Sequence, residues 1–441
     1  MTQLTIVNRI REAGVVGAGG AGFPAHVKWK AQVDTVIANG AECEPLLHKD
    51  GELMEHFAAP VIEGLEWAAR ATGATRKCVG IKAKKKEAVA ALQRVAPQRG
   101  VELNLLGDYY PTGDEFVLVH EVTGRLIPPA GLPLEIGVVV NNVESLYNAA
   151  RAMDGQPVTR KFLTVAGAVA KPSTFCAPLG MSFRDLIAAA GGATVDRYAI
   201  FVGGVMMGRL TRDADEPVTK TTTGFILLPE DHHLVERMSQ PTPVMHRIGK
   251  SACDQCSYCT EFCPRYLLGY DVQPHKVMRS LGFSMMSSDF WSKWGDLCCG
   301  CGLCTLYACP EELYPKEACD AARARMRELG VRWRGTSLEV KPHPMHEARR
   351  VPLKKLEEHL DLLRYERPAP FVPRDWSPRQ VRLLLKQHAG APATPLVKKG
   401  DRVREGQKIA DVPPDQLGVP IHASIRGRVR DVTNTEIILE G

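Results

Sequence analysis

Short aliphatic runs alternate with helical periodicity through the first third of the chain. Thr35–Ala38, Cys78–Ile81, Val101–Leu106 and Gly137–Val140 are aliphatic runs of strand length. Between them, Glu52–Ala71 and Lys85–Val95 carry apolar residues at helical spacing, so residues 1–150 read as a layered α/β domain. From Thr159 to Pro229, short strands bounded by Gly and Pro surround one helix, Ser182–Ala190, which predicts a small α+β module over 151–240. A cysteine-rich section follows over 241–330. The charged stretch 331–387, with one helix at Leu353–Arg364 and a proline-rich end at Pro368–Pro373, reads as a connector. From His388 onward, alternating β runs separated by Gly400, Gly406, Gly418 and Gly427 predict a compact all-β module. The expected fold class is therefore multidomain, α/β and α+β.

Composition narrows this picture. A chain of 441 residues exceeds one ordinary domain, and 44% hydrophobic against 24% charged residues supports several cores rather than disorder. A net charge of +6 is too mild for a nucleic-acid footprint. Met1–Gly14 reads as a mixed polar and aliphatic helix, not a signal peptide, and no segment approaches the length of apolar chain that spans a membrane. A cytoplasmic protein without a membrane span is expected. In that reducing compartment, 13 cysteines are better read as metal ligands or redox groups than as a disulfide framework. Nine fall between Cys253 and Cys309, while Cys43, Cys78, Cys176 and Cys319 are scattered.

Cys253, Cys256, Cys259 and Cys263, followed by Pro264, have the spacing C-x2-C-x2-C-x3-C-P. Such a loop wraps three thiolates around one four-iron cluster, and its fourth cysteine reaches the neighbouring cluster. Cys298, Cys301, Cys304 and Cys309, followed by Pro310, form a second run. The spacing assigns Cys253, Cys256, Cys259 and Cys309 to one [4Fe-4S] cluster and Cys298, Cys301, Cys304 and Cys263 to the other. Zinc, the competing metal, favours two separated C-x2-C pairs, and neither run is built that way. Two irregularities stand out: four residues rather than three separate Cys304 from Cys309, and Cys299 is an alternative to Cys298.

Gly17, Gly19, Gly20 and Gly22 precede Phe23 and Pro24 in a loop whose backbone amides can approach a phosphate without side-chain obstruction. It satisfies G-x-G-x-x-G, but that motif expects a strand before it and a helix after. Here a helical pattern precedes the glycines and Pro24 interrupts the next turn, which leaves a dinucleotide-binding Rossmann loop and a plain turn as alternatives to an unrelated phosphate cradle.

Taken together, Gly17–Lys28 (GAGGAGFPAHVK), Asn39–Pro45 (NGAECEP), Tyr110–Glu115 (YPTGDE) and Val140–Ser145 (VNNVES) resemble the FMN and NADH site of the flavoprotein subunit of respiratory complex I. They are more similar still to the C subunit of Rnf complexes and to the PduS-type cobalamin reductases of propanediol-utilisation microcompartments, whose segment order the chain shares. The resemblance implies a complex I flavoprotein-like FMN domain (1–150), an SLBB β-grasp module (151–240), a ferredoxin-like section with two [4Fe-4S] clusters (241–330) and a C-terminal, lipoyl-like barrel-sandwich hybrid (388–441). By motif, it implies that Gly17, Gly19, Gly20, Gly22, Lys28, Asn39, Glu42, Asn141, Asn142 and Ser145 hold FMN, and that Phe23, Glu44 and Glu115 face NADH. Ala41 stands where the complex I subunit has a carboxylate. The implied function is NADH-dependent reduction of a corrinoid or another redox acceptor in or beside a bacterial microcompartment, whose enzymes or shell proteins would be partners. The other reading is an electron-relay subunit of an Rnf-like complex, with a different acceptor and no activity alone.

The remaining signals are weaker. Lys82, Lys84, Lys85 and Lys86 read as a solvated basic face, and His232 and His233 as an exposed pair. No corrinoid-binding D-x-H-x-x-G motif is present. The lipoyl-like module has no lysine between Ala410 and Pro420, where a modified lysine would sit, so a docking or structural role at the periphery is expected of it.

Overall fold

The computed structural model describes residues 1–282, 294–331, 333 and 340–441; parts of the expected cluster section and connector (283–293, 332 and 334–339) lie outside the described residues. The first domain contains strands β1 (Thr35–Gly40), β2 (Arg76–Lys82), β3 (Glu102–Leu106), β4 (Tyr109–Tyr110) and β5 (Val138–Asn142). Four of them form a parallel sheet in the order β3-β2-β1-β5. Strands β1 and β5 are covered on both faces, which is why they read as continuous apolar runs, whereas the edge strand β3 leaves Glu102 and Leu105 exposed. Val36, Ala38, Val79, Ile81 and Val139 pack towards helices α1 (Gln3–Glu12), α3 (Lys49–Thr72), α4 (Lys86–Val95) and α6 (Val143–Met153). Ile37, Cys78, Val138 and Val140 pack instead towards α5 (Glu115–Thr123). A short α2 (Ala25–Lys28) begins directly after Pro24. Helix α3 is interrupted at Phe57 (φ −133°), ahead of Pro60, whose ring nitrogen cannot donate within the helix. It lies so close to α6 that a Cβ on Gly64 would stand 1.9 Å from the Leu146 carbonyl oxygen.

The second module is a five-stranded sheet, β7-β6-β10-β8-β9, made of β6 (Arg160–Gly167), β7 (Ser173–Pro178), β8 (Tyr198–Val202), β9 (Arg209–Thr211) and β10 (Gly224–Pro229). Only β6 and β10 run parallel, and α7 (Phe183–Ala189) packs on the sheet with Ser182 as its N-cap. In the C-terminal module, Gln380–Leu384 pairs with Glu436–Glu440 in the same sheet as Gly427–Val432. The sheet therefore starts before His388. The charges of this first strand hid it in the sequence: Val381 and Leu383 are buried, while Arg382 turns outward to Glu436 at 3.0 Å.

The modules do not sit as beads on a string. One apolar cluster runs from Val36 and Leu65 of the first domain through Phe175 and Phe225 of the second to Leu383 and Ile437 of the third. The buried Lys220 ammonium donates to the Gly14 carbonyl (2.8 Å) and the Pro420 carbonyl (2.9 Å), joining all three. Ala389 N–H donates to Gly22 O (3.1 Å), and Arg11 to Val412 O (3.0 Å). The peripheral position expected for the C-terminal module is corrected by these contacts. Two smaller expectations also change. Lys82 is 2% exposed and paired with Asp108 at 2.8 Å, so it belongs to no solvated face. His232 is buried, capping the helix His233–Met238 through Leu234 N–H, because a side chain at that position can accept from the first turn.

A buried ionic group ties the first two modules. Glu144, fully buried, accepts from Lys49 Nζ (3.0 Å), from Phe162 N–H (3.0 Å) and from Lys161 Nζ. Burial pushes its carboxyl up, but Lys161 and Lys49 outweigh that and hold it below its ordinary value. Replacing Glu144 with Gln leaves two buried ammonium groups facing a neutral amide, and a loss of about 3–5 kcal/mol is expected, read as a lowered melting temperature. Truncation after Arg379 is expected to strip most bound flavin as well as lower stability; an unchanged flavin-to-protein ratio would restore the peripheral role.

Candidate flavin and iron-sulfur sites

The glycine loop lies at the carboxyl ends of β1 and β5, where an open parallel sheet offers its crevice. Asn39 and Asn142 stand side by side there in strand register. The loop closes on itself through Gly17 N–H to Phe23 O (2.8 Å) and Gly22 N–H to Gly17 O (3.2 Å). Gly20 (φ +114°) and Gly22 (φ +66°) take conformations that disfavour side chains, and a Cβ on Gly22 would meet Thr221 at 2.7 Å. Two neighbours anchor the loop from below. Ser145 Oγ accepts from Ala18 N–H (2.9 Å), and Lys161 Nζ donates to Ala18 O (3.1 Å). Gly19, Gly20 and Ala21 remain exposed.

The other motif residues meet the loop in different ways. Asn39 donates to Gly113 O (3.0 Å) and accepts from Ala41 N–H (3.1 Å), which joins NGAECEP to YPTGDE. Asn142 caps α6 through Glu144 N–H (3.0 Å) and donates to Asp50 (2.8 Å). Asn141 accepts from Trp29 Nε1 (3.0 Å), while its Nδ2 is buried with no partner among the described residues, an orphan donor that a bound flavin would satisfy. Lys28 Nζ lies 3.3 Å from Val140 O and 3.4 Å from Glu115, and both of these side chains are 35% exposed. Phe23 is half-buried. Glu42 accepts from Asp50 N–H (3.2 Å), and burial together with the Asp50 charge pushes its carboxyl up to about 7.

The Glu44 carboxylate accepts from Met206 N–H (2.5 Å) in the β8–β9 turn of the second module, so close that a Cβ on Gly204 would overlap it. Burial pushes this carboxyl up to about 8 against the turn's amides. Glu44 thereby grips the second module, a contact that its motif does not encode. The sequence reading also missed Lys49, Asp50, Glu144 and Lys161. Glu144 was visible inside VNNVES, but Lys161 comes from another module, and only the fold brings it beneath the loop.

The cysteines separate into two sets. Cys253, Cys256, Cys259 and Cys309 line one cavity, with His275, Met278 and Leu313 around them. Left-handed Gln255 (φ +63°) and Ser257 (φ +69°) coil the first loop, and Leu313 N–H donates to Cys309 Sγ (3.3 Å). Cys263 is turned from that cavity towards Cys298 and Cys299. Gly300 (φ +71°) and Gly302 (φ +83°) coil the second loop, and Gly300 N–H donates to Cys298 Sγ (3.3 Å). The extra residue between Cys304 and Cys309 is absorbed by a π-helical turn, Cys304–Ala308, which holds one more residue than an α turn. Both Cys298 and Cys299 lie at this second site. Cys298 receives a hydrogen bond from the buried Cys319 thiol, and Cys299 one from Cys301. Burial pushes the Cys259 thiol up to about 12 and raises Cys263, Cys301 and Cys304 as well, although at Cys301 the Cys299 bond contributes more. Enclosed thiols of this kind ionise when a metal coordinates them, so both sets fit iron.

Family models match in four consecutive stretches. They are the Nuo51 FMN-binding domain (residues 10–151), the SLBB domain (162–210), a 4Fe-4S dicluster domain (252–314) and the RnfC barrel sandwich hybrid domain (372–440). The chain is 43% identical to the cobalamin reductase PduS of Citrobacter freundii over 435 residues, which is 98% of this chain and 96% of that protein. It is also 43% identical to the PduS of Salmonella typhimurium strain LT2 over 433 residues, covering 98% and 95%. Among solved structures, an NAD+-reducing [NiFe]-hydrogenase in the H2-reduced state shares the fold, with a TM-score of 0.50, 22% identity and coverage of 74% of this chain and 67% of that one. With such identity sustained from end to end, the chain belongs to the PduS cobalamin reductase family.

Proposed function

We propose that this chain is an NADH-dependent oxidoreductase that sends electrons through FMN and two [4Fe-4S] clusters to a corrinoid acceptor, in or beside a bacterial microcompartment. One contact carries the reading: Tyr110 of the YPTGDE motif donates its hydroxyl to the Cys301 carbonyl at 2.7 Å, so the flavin motifs and a cluster loop share a wall. When bound, FMN takes hydride and gives up electrons singly, which suits clusters that carry one each.

The chain's own residues supply binding and orientation. The exposed amides of Gly19 and Gly20, with Lys28, meet the phosphate, since amides and an ammonium favour an anion. Asn141 offers its free Nδ2 to the flavin, while Asn39, Asn142 and Ser145 hold the surrounding loops in place. Glu42, whose carboxyl burial raises to about 7, carries less negative charge towards the cofactor near neutral pH than an ordinary carboxylate would. Phe23 offers a ring face, and Glu115 a carboxylate at the start of α5, to the dinucleotide. Cys253, Cys256, Cys259 and Cys309 hold one cluster; Cys263, Cys298, Cys301 and Cys304 hold the other, with Cys299 as the substitute for Cys298. Among the described residues, no helix is long and apolar enough to cross a membrane. The match to an RnfC barrel sandwich domain favours the second reading, a relay subunit inactive alone. NADH oxidation by the isolated chain separates the two.

Anaerobically prepared protein is expected to hold about eight irons and about one FMN. The Cys256→Ala change removes one cluster's signal and leaves the flavin bound; stoichiometric zinc without iron would sink the assignment. NADH is expected to be preferred strongly over NADPH, because a carboxylate near the adenosine ribose repels the extra phosphate. Glu115→Gln is expected to raise the KM for NADH by about tenfold without lowering flavin content, whereas Lys28→Ala depletes the flavin itself. Equal use of NADPH in steady-state assays overturns the placement of Glu115.

A further inference from the structure

We infer that the two clusters act in fixed series: the Cys263, Cys298, Cys301 and Cys304 site receives electrons from the flavin, and the Cys253, Cys256, Cys259 and Cys309 site delivers them to the acceptor at the surface around Cys256. This order rests on the donor and ligand sets proposed above.

The first of these sites is enclosed by the flavin domain. Tyr110 reaches the Cys301 carbonyl (2.7 Å), and Cys301 and Leu303 share an apolar cluster with Leu46, Tyr110 and Met206. Cys263 shares another with Tyr109 and Val117. Arg265, two positions beyond Cys263, pairs with Asp114 at 2.9 Å and lies 3.5 Å over the Phe116 ring, and Asp114 is the N-cap of α5, the helix that begins with Glu115. The β8–β9 turn, held by Glu44, closes a third side: a Cβ on Gly302 would lie 2.8 Å from Met206 O. Cys263, Cys301 and Cys304 are all buried.

Among the described residues, the second site has none of these neighbours. Among the described residues its cavity is lined by the Cys253 loop, His275, Met278 and the segment from Cys309 to Pro315, and Cys253 and Cys309 pack against Val277, Met278, Leu313 and Ala318. Cys256 is exposed, and beside it Tyr258 is 47% exposed. The sites adjoin each other where Cys304 lies within electrostatic reach of Cys259, so an electron leaving the enclosed site meets the open one before solvent. The balance closes: NADH yields NAD+, one proton and two electrons, each electron reduces the enclosed cluster and then the open one, and two one-electron reductions of a cob(III)alamin acceptor complete the turnover.

Rapid-freeze EPR on the anaerobically reconstituted full chain tests the order. In Cys301→Ser, NADH is expected to reduce the remaining Cys256-side cluster at least about tenfold more slowly than in the parent, although dithionite reduces it fully. In Cys256→Ser, NADH is expected to reduce the remaining cluster at the parent rate, while aquacobalamin reduction falls about tenfold. Unimpaired reduction of the Cys256-side cluster in Cys301→Ser overturns the order. Should a variant fail to assemble, the parent still decides the matter. A soluble dysprosium chelate is expected to speed the relaxation of one cluster signal and spare the other, and the affected signal must be the one NADH reduces second. If NADH reduces neither cluster in the parent, the proposed donor fails instead, and that failure is distinct from a reversed order.

Discussion

The Lys161 ammonium, buried between the Ala18 carbonyl and the Glu144 carboxylate, is the constraint on which the flavin loop depends. A loop with so many glycines has little intrinsic preference for one shape, and its conformational freedom must be removed by its surroundings. Lys161 and Ser145 hold the two ends of a single residue, Ala18, and Ala389 holds Gly22. Because these partners come from three modules, the loop has its shape only when the modules are assembled. Glu144 is central to this because two ammonium groups and a backbone amide converge on its fully buried carboxylate. Burial pulls the Lys161 ammonium down and the Glu144 charge opposes that, leaving it at about 8.

The same principle governs the cluster section. Its loops turn through left-handed positions at Gln255, Ser257, Gly300 and Gly302, and among the described residues the apolar cluster it builds for itself is small: Val277, Met278, Leu313, Ala318, Cys319 and Ala322. Coordination supplies what a hydrophobic core would otherwise supply, since metal binding is folding free energy for such a segment. Docking is supplied by the flavin domain through Asp114, Tyr110 and Ile127 O, the last accepting from Tyr270 at 2.7 Å. The glycine-loop domain and the cysteine loops thus hold each other's position through one interface.

Much of this was legible in the chain. The parallel sheet announced itself because buried strands cannot alternate polar and apolar residues, and the gathering of the cysteines into two sets because a cubane demands a fixed spacing of thiolates. The one irregular spacing became intelligible only as the π turn Cys304–Ala308. What sequence could not show was contact between distant segments. Lys82 in a basic run and His232 in a polar loop carry the composition of solvated surface, yet Asp108 neutralises the first and the helix start at His233 uses the second. Glu44 was read by motif, and the motif does not encode the β8–β9 turn that takes its carboxylate.

The C-terminal module shows how a carrier fold can serve as a brace. A lipoyl domain needs its lysine at the tip of a free hairpin, exposed so that it can swing between sites. Here the corresponding stretch leads into Pro420, whose carbonyl is an acceptor for Lys220 in the buried junction with Gly14. Burial pulls the Lys220 ammonium down to about 7, and among the described residues no carboxylate pairs with it. A group held so close to neutrality tolerates a dry site supplied with carbonyl acceptors, and that site exists only when Gly14, Lys220 and Pro420 are together. The stretch ends in a fixed contact. The module stands behind the glycine loop, where His388 lies 3.1 Å from the position a Cβ on Gly22 would take, and restricts the loop from the side that Lys161 and Ser145 do not reach.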